Sequence, residues 1–148
     1  MPRKDAGLVG RVMGAIGPRR RRSAAATDWR ARVTDAYAKG SALHDAMAAA
    51  ETPGALTAAD AGLRWSDLQR RAGDYEQLLS TLQQEAPGDQ ERIQMTDLIA
   101  SLQAARSAMD AERSTGAADG TSAGIVRDRI AFFATSLSSL REPDVRPA

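Results

Sequence analysis

The chain has 148 residues, a 43% hydrophobic share rich in alanine, only six aromatic residues and no cysteine. The length suits one domain with a real core; scarce aromatic and β-branched residues leave little material for a sheet, and the lack of cysteine excludes disulfides and thiolate metal sites. The formal charge of +1 divides unevenly: residues 1–22 hold seven basic residues against one acid, a net of +6, and the remainder carries −5, the pattern of a basic arm that seeks polyanions or acidic surfaces.

Residues 1–26 read as that arm. Gly7, Gly10, Gly14 and Gly17 loosen it and Pro18 precedes Arg19–Arg22, so it is expected to be disordered or a transient amphipathic helix. Leu8, Val9, Val12, Met13 and Ile16 fall on one helical face, with Arg11 opposite. The candidate membrane- or partner-binding residues are therefore Leu8, Val9, Arg11, Val12, Met13, Ile16, Arg19, Arg20, Arg21 and Arg22. Such a face can enter the headgroup boundary of an anionic membrane while the arginines meet acidic lipids, or dock into a groove on a protein. Binding to nucleic acid accounts for the arginines but not for the apolar face, and no aromatic in the arm can stack on bases. The apolar stretch is short and glycine-broken, with the main positive block behind it, which argues against a secretory signal.

Helix one is predicted over about 28–51, with Thr27 as N-cap. Its seam, Trp29, Val33, Ala36, Gly40, Leu43, Met47 and Ala50, alternates steps of four and three, the heptad pattern of a coiled-coil face. Thr52-Pro53-Gly54 should end it.

Helix two is predicted over 58–85, opened by Thr57 with Asp60 in the capping-box position. Trp65, Leu68, Ala72, Tyr75, Leu79 and Leu82 form its seam and Leu78 widens the stripe. After the turn Pro87-Gly88-Asp89, with Asp89 as candidate cap, helix three is predicted over 90–113 with seam Met95, Leu98, Leu102, Ala105 and Met109, broadened by Ile99. The short link makes helices two and three a hairpin.

Residues 114–122 read as a loop, 123–141 as helix four, and 142–148 as a frayed tail marked by Pro143 and Pro147. The seam of helix four is Val126, Ile130, Phe133, Leu137 and Leu140. Adjacent Phe132 and Phe133 point about 100° apart, so either the helix is wedged between two neighbours or one ring faces another subunit. Ile125, Phe132 and Phe133 are accordingly candidates for an oligomer interface.

Catalytic patterns are lacking. His44, the one histidine, sits a residue off its seam, where exposure is expected, and nothing in the sequence sets a serine beside it as a hydrolytic triad requires. No Glu-x-x-His pair or glycine-rich phosphate loop occurs. Arg70, Arg71, Asp74 and Glu76 read as a solvated helix face, as do Arg106, Asp110 and Arg113 along the next helix. Trp29 and Trp65 read as core.

The sequence thus points to an all-α protein: an antiparallel up-down bundle of three to four long helices, residues 27–141, behind a flexible basic arm. The alternative is a three-helix bundle with helix four on another subunit. The expected function is that of a non-enzymatic adaptor or scaffold that binds a protein partner, a second copy or an anionic membrane surface. Nucleic-acid binding is the alternative, and no cofactor, metal or small-molecule substrate is expected. The expected location is cytoplasmic, peripheral at the inner face of a membrane if the arm binds lipid.

Overall fold

The computed structural model describes the backbone of residues 2–52, 57–115 and 120–141, with side chains for 24–52, 57, 59–114 and 122–141. It holds four helices: α1 Pro2–Glu51, α2 Ala58–Gln84, α3 Asp89–Thr115 and α4 Gly120–Arg141. There is no strand among the described residues.

The seams read from the sequence are the core. Trp29, Val33, Ala36, Leu43 and Met47 of α1 meet Leu68, Ala72, Tyr75, Leu79 and Leu82 of α2 in one buried cluster. Met95, Leu98, Leu102, Ala105 and Met109 of α3 and the whole α4 seam complete it. Two positions depart: Ala50 is exposed, and Trp65 is half-buried beneath the Arg113 guanidinium, 4.8 Å from its ring centroid. Helix four belongs to this core, which replaces the three-helix alternative.

Each helix packs on two neighbours. α1 lies against α2 and α4, and α3 against the same two; the diagonal pairs make no close backbone approach among the described residues. From α1 to α2, Trp29 reaches Leu82 and Tyr75 reaches Ala36. From α2 to α3, Gln83 bonds Thr96 and Gln69 bonds Arg106. Gln94 of α3 donates to the Ser139 carbonyl, and Arg141 of α4 lies over the Tyr37 ring of α1.

The helix ends partly follow the sequence signals. The Thr57 side chain accepts from the Asp60 amide at 3.1 Å, as an N-cap does. At α3 the first ladder bond runs from the Arg92 amide to the Gly88 carbonyl. Gly88 is therefore the cap and Asp89 the first helical residue, its carboxylate paired with Arg92. The Trp29 indole donates to the Leu82 carbonyl at 2.8 Å. That carbonyl is in the last turn of α2, where no amide four residues on remains to bond it, so a core side chain from another helix completes the end of α2.

The largest difference from expectation is at the N-terminus. The sequence predicts a loose arm and a cap at Thr27, whereas the backbone is helical from Pro2 and Thr27 lies within α1. Packing from Trp29 onward supplies a formed helix, and adding residues to an existing helix avoids the nucleation cost that makes an isolated segment unstable. Ala24, Ala25 and Ala26 favour the extension. Smaller differences are that α4 starts at Gly120 rather than 123 and α3 reaches Thr115. The 53–56 turn, the centre of the 114–122 loop and the 142–148 tail lie outside the described residues.

Gly40 sets the spacing of three helices. A Cβ at this position would overlap the Tyr75 hydroxyl and lie 2.5 Å from Leu137 Cδ2. The Tyr75 hydroxyl occupies that gap and donates to the Ala36 carbonyl at 2.7 Å, while its ring meets Phe133 edge-on at 6.4 Å. Gly40→Ala gains about 1 kcal/mol of helix propensity but forces strain of about 1–3 kcal/mol. The expected result in chemical denaturation is a net loss of about 1 kcal/mol. Tyr75→Phe removes the overlapping oxygen, so it should cost clearly less in the Gly40→Ala background than alone; strict additivity would contradict this account.

Candidate functional site

Of the sequence-selected residues, Leu8, Val9, Arg11, Val12, Met13, Ile16, Arg19, Arg20, Arg21 and Arg22 lie on the backbone of α1, and their side chains are outside the described residues. The three α4 candidates separate. Phe133 is fully buried, whereas Phe132 is 56% and Ile125 48% exposed. Counting from Val126 in steps of four and three lands on Phe133, and Phe132 is turned 100° off that line. Phe133 therefore fills this chain's own core and offers nothing to another subunit. Leu63 and Ile93 are also exposed, and no seam signal marked them.

Two polar clusters cross between helices. In the first, Arg106 of α3 forms an ion pair with Glu76 of α2 and also donates to Gln69 Oε1 at 3.1 and 3.2 Å. The sequence had paired Arg106 with Asp110 along its own helix. Both Arg106 and Glu76 are half-buried, and the shorter path lies across the interface. A groove of about 550 Å³ opens above them, lined also by Gln103, Ser107 and Asp110. The Arg106 guanidinium thereby joins α3 to two residues of α2.

The second cluster lies at the far end of α1. Glu51 faces Glu112 of α3 and Arg127 of α4. Burial, then hydrogen bonding and like charge from Glu112, raise the Glu51 carboxyl from 4.5 to about 7, and Arg127 offsets only part of this. His44 and Thr52 line the same groove, of about 420 Å³. His44 is half-buried rather than exposed, with Nδ1 3.2 Å from Asp45 Oδ1. The Thr52 hydroxyl donates to the Ala48 carbonyl, so it is engaged on its own helix and not by the imidazole. A histidine, a carboxylate and a hydroxyl share a groove here without the contact that would activate the hydroxyl.

Among the described residues, Ser101 is the one buried residue outside the hydrophobic, aromatic and glycine types, and its hydroxyl donates to the Leu98 carbonyl at 2.8 Å. Among the described residues no buried side-chain nitrogen or oxygen lacks a partner, and no group of three His, Asp or Glu is placed to hold a metal. None of their helices is long and apolar enough to cross a membrane. Comparison with protein-family models, curated proteins and solved structures finds no match to this chain.

The Glu51 shift fixes a pH dependence. A carboxyl whose pKa is higher folded than unfolded contributes stability that is full below the unfolded value near 4.5 and lost as pH rises through about 7. Thermal unfolding should therefore show a gain of about 1 kcal/mol, allowing for solvent screening, on acidification from pH 8 to pH 5. Glu51→Gln should be the more stable protein at pH 8 and lose most of that slope; an unchanged slope would assign it to another group.

Proposed function

We propose that the chain is an antiparallel up-down four-helix bundle acting as a non-enzymatic adaptor or scaffold, attached through residues 1–22 to an anionic membrane surface or an acidic protein. The order of contacts supports the topology: α1 meets α2 at Trp29 with Leu82, then at Ala36 with Tyr75, one number rising as the other falls. The α2–α3 contacts descend in the same way.

The observation that carries the functional reading is the separation of charge from core. The core is apolar seam whose few polar groups, the Trp29 indole and the Tyr75 and Ser101 hydroxyls, are bonded to backbone carbonyls of the chain, which suits a structural body. The concentrated charge is at one end, net +6 in 22 residues. Continuation of α1 to Pro2 favours an amphipathic helix there. On a helix, Leu8, Val9, Val12, Met13 and Ile16 form a single apolar face, and each of the four arginines that follow contributes roughly 1 kcal/mol near an anionic surface. A peripheral cytoplasmic location follows from this reading.

The four consecutive arginines also favour phosphate binding on nucleic acid, and one pair of variants separates the two. With full-length protein and vesicles of mixed phosphatidylserine and phosphatidylcholine, Val9→Ser/Val12→Ser should lower co-sedimentation by about tenfold, since two buried apolar side chains are lost. Binding to duplex DNA, if any, should stay within about twofold, because phosphate contacts do not use the apolar face. Equal vesicle binding by variant and parent would remove the membrane reading; loss of DNA binding on replacing Arg19–Arg22 by Gln, without vesicle binding by the parent, would establish the alternative.

A further inference from the structure

α4 has two flanks. The one toward α1 has partners within the chain: Arg127 faces Glu51, and Arg141 covers Tyr37. The other borders α3, as the bond from Gln94 to Ser139 shows. On this side Ile125, Asp128, Arg129 and Phe132 are all exposed. Their spacing of i, i+3, i+4 and i+7 puts them on one helical face. Neither Asp128 nor Arg129 has an ion-pair partner among the described residues.

The order of these four residues is self-complementary. Turned end for end about a point between 128 and 129, the stripe lays Ile125 on Phe132 and Asp128 on Arg129. A two-fold contact requires this of a surface: if residue i of one copy meets j of the other, j also meets i. One such pairing makes two apolar contacts and two opposite-charge contacts. A parallel pairing in register would set Asp128 against Asp128 and Arg129 against Arg129.

The α3 surface beside the stripe allows the approach. Gln94, Ser101 and Ala108 recur at intervals of seven along the flank of α3 that faces α4, with Ala100 and Ala104 just outside them. Between Asp97 and Asp110 the one charged residue of α3 is Arg106, and it points to Glu76 on α2. The stripe itself spans only about 10 Å of helix, so the alanine flank must add to it to approach the roughly 800 Å² per partner of a stable interface.

We propose that a second copy of this chain is the occupant of this face, with the two α4 helices antiparallel and the two-fold axis passing between Asp128 and Arg129. The stripe is remote in sequence from the basic arm, so this association is independent of the arm's ligand. A contact at the low end of interface sizes is expected to be weak, so the dimer should form only at high protein concentration.

Sedimentation equilibrium of the full-length protein up to about 200 µM tests it. The parent should dimerise, and Ile125→Ser/Phe132→Ser should weaken the dimer at least about tenfold with unchanged helicity and melting temperature, because both side chains are already exposed. Asp128→Arg sets arginines against arginines and should also weaken it by about tenfold. The exchange Asp128→Arg/Arg129→Asp restores both opposite-charge pairs and should bring the constant back to within about threefold of the parent. A monomeric parent at the highest concentration overturns the proposal and leaves the arm's role untouched. A dimer insensitive to Asp128→Arg, or one not restored by the exchange, overturns this geometry.

Discussion

The close crossing at Gly40 determines how the bundle is arranged. One hydroxyl, that of Tyr75, reaches from α2 to the backbone of α1 in a space that exists only because residue 40 has no side chain. The same ring contacts Phe133 of α4 and Leu137 closes the other side of the gap, so three helices share one fixed point. Burial raises the Tyr75 hydroxyl well above its ordinary pKa, which keeps it a neutral donor to Ala36. A polar atom placed here discriminates among registers more sharply than another leucine would. Slipping α1 by one residue would leave the hydroxyl without an acceptor, and a buried unpaired group costs about 1–3 kcal/mol.

Much of this fold was legible in the sequence because the period of the apolar residues is a direct consequence of helix geometry. Each seam residue of α3 and α4 follows from counting, but counting alone leaves both Phe132 and Phe133 as interface candidates, and it is the burial of Phe133 that separates them. What could not be read were contacts that depend on two helices at once. The spacing of Trp29 indicates a core residue but cannot show that its indole completes the end of α2 at Leu82. Arg106 has a plausible partner four residues away in Asp110, yet it bonds Glu76 and Gln69 across the interface. Glu51 reads as the last residue of a helix, and its meeting with Glu112 exists only once α3 and α4 are in place. The length of α1 differs from the sequence signal for a related reason: local glycines describe the isolated segment, whereas a helix already held by packing extends at lower cost.

The same contacts account for the partners of the buried polar groups among the described residues. The Arg106 cluster joins α2 to α3, the Trp29 indole joins α1 to α2, and the buried Ser101 hydroxyl turns back on its own helix. Polar groups that are already each other's partners can bind a ligand only by giving up those bonds. Under the proposed reading, recognition would fall to the periphery, where Leu63, Ile93, Ile125 and Phe132 are exposed.

Within the periphery the two outer features differ in kind. The basic arm is specified by composition: in the proposed role its arginines would serve any anionic surface, and selectivity would have to come from the apolar residues spaced among them in the sequence. The α4 stripe is specified by order. Exchanging the positions of Asp128 and Arg129 with each other preserves its symmetry, but exchanging Arg129 with Phe132 destroys it at constant composition. The flank of the same helix toward α1 meets the chain's own residues through Arg127 and Arg141, whereas Asp128 and Arg129 have no ion-pair partner among the described residues, and a copy of the chain is a partner whose charges would match them by symmetry alone.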